Sequence, residues 1–320
     1  MKPVLVWLSA MALLLQTTAG SEPPARPPTP WQVEEDARLR GWVDEAVRRT
    51  VSAFATQKLE TTELAVTVVE LKETNRLVWA SHRGTVPIYP ASVVKLFYLV
   101  AAHQWMEEGR LQDTAELRRA MHDMIVDSYN EATHYVVDLL TGTTSGPELP
   151  AEELGVWFDR RNAVNRYFLS LGYTGINANK KPWCEGPYGR ETQAIKAFEP
   201  KRNQLTTQAT ARLVTEIALG RAVSPARSAQ MRSLMQRDPL AETKDPDDQA
   251  KFTGPALPPG ARLWSKAGWT SETRHDAAYV ELPNGRRLVL VIFTENHANE
   301  RGILHTLARE LLSHFSAPAP

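Results

Sequence analysis

Apolar residues recur at three- and four-residue steps near both ends of the chain. The stripe from Leu39 to Phe54 predicts one buried face of a long helix, and the stripe from Leu304 to Phe315 predicts a second helix. Between these helices lie five β-rich runs, at residues 64–71, 77–80, 262–268, 277–282 and 288–294. The pattern therefore predicts an antiparallel sheet with a helix from each end of the chain against it.

The middle of the chain, from about residue 90 to residue 237, has the spacing of helices. An irregular stretch at 172–203 interrupts it, and loops of that length in compact proteins are often functional. We therefore predict an α+β fold, an antiparallel β-sheet flanked by N- and C-terminal helices with an all-helical lobe inserted. The domain would span 31–316, with an α/β lobe at 31–88 and 250–316 and a helical lobe at 89–249.

The first thirty residues predict export. Lys2 precedes an apolar run from Val4 to Leu15, and small residues follow up to Gly20, which is the order of a secretory signal peptide at 1–20. The run falls short of the roughly 20 residues that span a bilayer. Five prolines in 21–30 predict an extended tether. We expect a periplasmic or secreted protein with no stable membrane span after cleavage.

Composition narrows the classes of function. Lys plus Arg and Asp plus Glu both total 37, so no excess positive charge favours a nucleic-acid partner. The single cysteine, Cys184, excludes an internal disulfide framework and a thiolate zinc cage. The eight histidines are scattered without metal-binding spacing. We therefore expect no metal and no organic cofactor.

One predicted helix has an unusual composition. After Pro90, the run from Ala91 to Ala102 is apolar on nearly every face, which is typical of a helix buried all round. Two strongly polar residues, Ser92 and Lys95, stand in its first turn three positions apart and so share a face. A buried lysine either borders a polar cleft or gives up its proton, and a neutral lysine beside a hydroxyl suits nucleophilic catalysis.

Two further motifs follow Ser92 and Lys95 in the chain. They are Ser128-Tyr129-Asn130 and Lys266-Ala267-Gly268. In this order the three motifs resemble those of the class A β-lactamase and penicillin-binding serine hydrolase superfamily. The resemblance extends over about residues 31–315. Each motif taken alone has a simpler interpretation, since Ser128 and Asn130 are also typical of a helix cap and Lys266 of a solvated strand end.

The resemblance implies a role for each motif residue. Ser92 would be the nucleophile and Lys95 its base, and Ser128 would relay a proton to the leaving nitrogen. Asn130 would hold Lys95 and the substrate amide, while Lys266 would supply positive charge beside Ser128.

The same resemblance places the oxyanion and the substrate carboxylate. The oxyanion would sit between the backbone N–H groups of Ser92 and Trp269, next to Gly268. The substrate carboxylate would meet a basic group at Arg274 or His275, and we favour Arg274 because arginine binds a carboxylate bidentately. A surface ion pair is an equally simple interpretation of Arg274.

The chain departs from the family pattern at three places. Tyr129 replaces the usual Asp, and Ala267 replaces a Ser or Thr whose hydroxyl bond to a substrate carboxylate is worth about 1 kcal/mol. The Glu-x-x-Leu-Asn string that supplies the deacylating glutamate is missing from the sequence. We expect Glu185 to activate the deacylating water, with Glu191 as second choice. Either residue is equally well interpreted as an ordinary solvated glutamate.

These observations predict an exported serine hydrolase, a β-lactamase that opens the β-lactam amide through an acyl-Ser92 intermediate. Two alternatives stay open. The first is a penicillin-binding or DD-peptidase-like protein with slow deacylation, for which a cell-wall peptide is the substrate. The second is a non-catalytic binding module of the same fold.

Overall fold

A computed structural model of the chain describes residues 31, 33–72, 76–183 and 186–316. The predicted signal peptide at 1–20 and the predicted tether at 21–30 lie outside the described residues. None of the helices in the described ranges has both the length and the hydropathy needed to span a bilayer.

The described part of the chain contains ten α-helices. They are α1 (Ala37–Ala53), α2 (Lys95–Glu107), α3 (Ala115–Ile125), α4 (Asn130–Thr141), α5 (Ala151–Arg161), α6 (Ala163–Ser170), α7 (Gly189–Ala197), α8 (Thr207–Ala218), α9 (Pro225–Met235) and α10 (Gly302–Ser313). Short 3-10 turns cover Ala55–Gln57, Thr61–Glu63, Ala91–Val94, Gln249–Lys251 and Gly254–Ala256. Side-chain caps start several helices, as where Asp36 accepts from the N–H of Leu39 at 2.9 Å at the start of α1.

The described strands form one large sheet and one small one. They are β1 (Glu34–Glu35), β2 (Leu64–Leu71), β3 (Leu77–His82), β4 (Ile176–Asn177), β5 (Gln204–Leu205), β6 (Gln236–Arg237), β7 (Arg262–Trp269), β8 (Arg274–Glu281) and β9 (Arg287–Thr294). The seven-stranded sheet has the order β1-β3-β2-β9-β8-β7-β6 and is antiparallel except for the pair β1 and β3. Strands β4 and β5 pair separately.

Each face of the large sheet is covered by its own hydrophobic core. On one face, α1 and α10 pack through residues such as Val43 and Leu307, which are fully buried. On the other face, the helical lobe packs around α2, whose buried residues include Phe97, Leu99 and Ala101. Because α2 is surrounded by other elements, it needs apolar residues on every side.

The predicted α+β fold is confirmed, with corrections to individual elements. Strand β8 begins at Arg274, three residues before the predicted start, because the turn after β7 needs only residues 270–273. Thr270 stabilises that turn by accepting from the N–H of Thr273 at 3.1 Å. The stretch 172–203 is not irregular throughout, since it holds α7. Strand β6 falls within the range predicted for the helical lobe.

Candidate active site

Ser92 stands in a short 3-10 turn that leads directly into α2. The turn covers Ala91–Val94, and Lys95 is the first residue of the helix. Ala91 has a φ of 46°, in the left-handed region that costs most side chains free energy. Ser92 is half-buried, whereas Lys95 is fully buried. A strained turn of this kind persists only where the surroundings hold it.

Strand β7 presses against the turn at Gly268. A Cβ atom at this position would lie 2.8 Å from the carbonyl oxygen of Pro90 and 2.8 Å from the backbone nitrogen of Ser92. Both atoms belong to the backbone, which cannot move aside easily. The close approach therefore requires glycine, and it places the end of β7 beside the backbone of Ser92.

His275 holds the same turn from β8, where it pairs with Gly268. Its Nε2 donates to the carbonyl oxygen of Tyr89 at 2.9 Å, while its Nδ1 accepts from the N–H of Thr294 at 3.1 Å. Complete burial lowers the pKa of His275 to about 4, against the opposing effect of the hydrogen bond to Tyr89. The ring is therefore neutral at physiological pH and works as a fixed donor. The sequence suggested His275 only as an alternative to Arg274 for binding the substrate carboxylate.

Two lysines meet at Ser128. Lys95 Nζ lies 2.6 Å from the carbonyl oxygen of Ser128, 3.2 Å from its Oγ and 2.8 Å from Oδ1 of Asn130. Lys266 Nζ lies 2.9 Å from the same Oγ. Ser128 has a φ of 60°, so the chain turns sharply here to present both of its oxygens to Lys95. The structure thus brings together Lys95, Ser128, Asn130 and Lys266, which are far apart in the sequence.

Lys266 is fully buried on β7. Besides Ser128, its Nζ donates to Oε1 of Gln249 at 2.8 Å and to the carbonyl oxygen of Ala267 at 2.7 Å. Burial lowers the pKa of Lys266 well below its usual value, and the nearby charges of Lys95 and Arg237 lower it further. Burial therefore makes the charged form of Lys266 less favourable than that of an exposed lysine.

Gln249 is a site residue that the sequence did not reveal. Its Oε1 also accepts from the N–H of Ala267 at 3.2 Å, and its Nε2 donates to the carbonyl oxygen of Ile125 at 2.8 Å. The side chain thus ties β7 to the end of α3. A single glutamine in a polar segment has no distinctive pattern, so only the packed structure could identify it.

Arg274 lies apart from this cluster of contacts. Its side chain is 3% exposed, its NH1 donates to Asp247 at 2.8 Å, and its guanidinium lies 3.8 Å from the ring centre of Phe252. Arg301 binds the same carboxylate at 3.0 Å. The structure therefore gives Arg274 a buried partner within the protein, and the carboxylate-binding role remains a prediction that these contacts do not favour.

The loop before α7 approaches the site at Trp183. The carbonyl oxygen of Trp183 lies 3.4 Å from Nδ2 of Asn130, and its ring packs edge-on against His134 at 4.6 Å between centroids. Glu185, predicted to activate water, lies outside the described residues.

Glu191, the second candidate for the water-activating base, has a different environment. It is 3% exposed and forms a short ion pair with Arg161, which is itself 1% exposed. Its Oε1 also accepts from the hydroxyl of Ser145 at 2.8 Å. This carboxylate is therefore a buried anchor of α7, and its role as a water-activating base remains a prediction that these contacts do not favour.

Potential metal ligands come together at one place in the described ranges. His122, Asp123 and Asp127 offer ligand atoms within 4.8 Å of one another at the end of α3. His122 and Asp127 are exposed, and Asp123 is already paired with Arg119 at 2.9 Å. Exposed acidic groups of this kind are common on protein surfaces, and no other feature marks them as a metal site.

Comparisons with known proteins agree with the motifs. Residues 46–315 match the β-lactamase enzyme family. No curated protein sequence matches the chain. A β-lactamase structure from Sphaerobacter thermophilus is similar with a TM-score of 0.59 at 20% identity, covering 88% of this chain and 99% of that one. A mutant of PBP-A in an acyl-enzyme complex with penicillin G has a TM-score of 0.61 at 18% identity, covering 92% and 99%.

A β-lactamase structure from Xanthomonas campestris is similar to the same degree, with a TM-score of 0.60 at 15% identity, covering 85% of this chain and 97% of that one. At these identities the structures support the fold alone. The family match covers most of the chain and includes all three motifs, so the resemblance inferred from them is confirmed. The chain belongs to the β-lactamase enzyme family and is a serine hydrolase of the β-lactamase type.

Proposed function

We propose that this protein is a β-lactamase that opens the β-lactam amide through a covalent acyl-Ser92 intermediate. The observation that carries the proposal is the Ser128 hydroxyl, which lies within hydrogen-bond distance of the amines of both Lys95 and Lys266. A hydroxyl between two amines can accept a proton from one side and pass a proton to a leaving group.

In the acylation step, the Ser92 hydroxyl oxygen attacks the lactam carbonyl carbon, and Lys95 takes the proton of Ser92. The C–N bond then breaks, and the ring nitrogen receives a proton through Ser128. The backbone N–H groups of Ser92 and Trp269 would stabilise the oxyanion, which fits the contact of β7 with the turn of Ser92 at Gly268.

For deacylation we propose that Glu185 activates a water molecule that hydrolyses the ester of Ser92. Two observations support this choice. The neighbouring Trp183 contacts Asn130, and the competing Glu191 is committed to Arg161. Without a carboxylate at this place, the acyl-enzyme would accumulate, and the protein would act as a penicillin-binding protein with slow turnover.

We also propose that the protein is exported to the periplasm or secreted. This proposal rests on the charged, apolar and small-residue order of residues 1–20, which precede the described residues. N-terminal sequencing of the protein recovered from the medium or periplasm tests it, with a new N-terminus near residue 21 as the expected result.

A nitrocefin assay paired with intact mass spectrometry after exposure to benzylpenicillin tests the chemistry. We expect turnover of nitrocefin and a transient mass adduct that disappears in Ser92→Ala. Ser52→Ala, an exposed serine on α1, is the matched control and should behave as the wild type. A stable adduct without turnover would favour the penicillin-binding alternative, and the lack of both signals in the wild type would favour a binding module.

A further inference from the structure

We propose that the Ser92 site accepts aromatic acyl donors that carry no carboxylate, and that it hydrolyses uncharged aryl esters in addition to β-lactams. The inference rests on the proposed function, because it needs the acyl-Ser92 step. Three features of the site carry it: the hydrogen bonds of Lys266, the surroundings of Ala267 and Arg274, and the exposed aromatic residues next to the motifs.

Lys266 has no N–H left for a substrate carboxylate. An ammonium group has three N–H donors, and Nζ of Lys266 is already within 2.9 Å of three acceptors, on Ser128, Gln249 and Ala267. The amine is also fully buried. A carboxylate that bound Lys266 would therefore have to displace one of these partners.

The neighbouring groups do not compensate for this loss. Ala267 has no hydroxyl, and its N–H already donates to Gln249 at 3.2 Å. Arg274, the cation closest along β8 to the end of β7, is 3% exposed and paired with Asp247 at 2.8 Å. Binding a carboxylate here would leave the charge poorly paired, which costs free energy in a partly dehydrated site.

Exposed aromatic residues adjoin the site residues along the chain. Trp269 follows Gly268 and is 51% exposed, and Tyr129 separates Ser128 from Asn130 and is 58% exposed. On the loop before α7, Tyr188 is 58% exposed and its ring lies 6.3 Å from that of Trp183. Large exposed rings bury aromatic ligands with little loss of side-chain entropy. We therefore expect them to select an aryl group.

The esterase reaction uses the same groups as the β-lactamase reaction. The Ser92 hydroxyl oxygen adds to the ester carbonyl, and the bond between the acyl carbon and the aryl oxygen breaks. The proton lost by Ser92 passes through Lys95 and Ser128 to the departing aryloxide, which leaves as a phenol. Water then hydrolyses acyl-Ser92, releasing the carboxylic acid and restoring the hydroxyl.

The test uses the full chain with three probes: benzylpenicillin, its methyl ester and p-nitrophenyl phenylacetate. We expect kcat/KM for the methyl ester to equal or exceed that for the acid, and the phenylacetate to be hydrolysed only when Ser92 is present. A preference of about tenfold or more for the acid, the effect of one charge-assisted hydrogen bond, would overturn the inference. So would equal hydrolysis of the phenylacetate by Ser92→Ala.

Two variants sharpen the test. Ala267→Thr adds a hydroxyl, and we expect the ratio of kcat/KM for acid over methyl ester to rise about fivefold. Trp269→Ala should lower kcat/KM for the phenylacetate about tenfold, with Leu169→Ala, an exposed residue on α6, as the unaffected control. An unchanged ratio in the first variant and an unchanged rate in the second would both count against the inference.

The two proposals can fail separately. If benzylpenicillin acylates Ser92 but the neutral esters do not react, the substrate class is wrong and the β-lactamase proposal stands. If none of the three probes acylates Ser92, both proposals are wrong.

Discussion

Gly268 and His275 lie opposite each other on β7 and β8, and both touch the backbone that leads to Ser92. Gly268 lies against the carbonyl of Pro90 and the nitrogen of Ser92, while His275 donates to the carbonyl of Tyr89 at 2.9 Å. The central sheet therefore holds the left-handed turn at Ala91 from two adjacent strands. Two of the following predictions test this arrangement.

Replacing Gly268 with alanine should damage activity more than stability. The new Cβ would lie 2.8 Å from two backbone atoms, so the turn of Ser92 or the end of β7 must shift. We expect a loss of about 1–3 kcal/mol in the free energy of unfolding. Because a displacement of about 1 Å can cost about 100-fold in rate, we expect kcat/KM to fall by about that factor.

Urea unfolding and nitrocefin kinetics measure the two effects of the Gly268 substitution. Gly41→Ala is the matched control, because a Cβ there meets no atom within 4 Å and the position is inside α1. It should raise stability by up to about 1 kcal/mol and leave activity unchanged. Wild-type activity in Gly268→Ala would show that the close approach does not matter for catalysis.

His275 should act as a positioning residue through its donated hydrogen bond. His275→Leu removes the donor to Tyr89, and we expect the acylation rate to fall about 10- to 100-fold with little change in KM. His275→Gln keeps an N–H at the position of Nε2 and should recover most of the rate. Stopped-flow acylation of the three proteins measures this. Equal loss in both variants would point to a packing effect alone.

His103 should make the protein less stable in acid. Its ring is 2% exposed and neither nitrogen has a partner among the described residues. Burial, and then the charge of Arg227, lower its pKa from 6.5 to about 4. Between these values the unfolded chain binds a proton that the folded chain does not, so stability falls as the pH drops from 6.5 to 4, by about 3 kcal/mol in total.

Removing His103 tests that linkage. His103→Leu should gain about 1 kcal/mol or more at pH 7, since two unpaired nitrogens disappear, and should lose less stability than the wild type on acidification. Urea unfolding at pH 7 and pH 4.5 measures both. His122→Leu is the control, because that side chain is 53% exposed. Identical pH dependence in His103→Leu and the wild type would contradict the prediction.

Glu185, which precedes α7 in the chain, and Glu191, in the first turn of α7, should have separable effects. Glu191→Gln breaks a buried ion pair with Arg161, and we expect a loss of about 3–5 kcal/mol in the free energy of unfolding. Deacylation below the unfolding temperature should persist in that variant. Glu185→Gln should leave stability nearly unchanged and trap the acyl-enzyme, as detected by intact mass. Unchanged turnover in Glu185→Gln would remove this residue from the mechanism.

Local patterns along the chain were enough to predict the fold class and the motif residues. Helical stripes, strand-length runs and the Ser92 to Lys95 spacing all depend on neighbours a few positions apart, where backbone geometry fixes which side chains share a face. The order of the three motifs then indicated the family. The terminal helices at Leu39 and Leu304 and the strand at residues 64–71 lie where the periodicity predicted them.

Which groups meet at the site depends instead on how distant parts of the chain pack together. Gln249 forms hydrogen bonds with Lys266 and with Ile125, which lie 17 and 124 positions away from it in the chain. Asp247 pairs with Arg274, which is 27 positions away. Glu191 is buried against Arg161, although in sequence it looked much like Glu185. Such pairings depend on how distant elements pack and on which charges lose their water, and no local spacing encodes either.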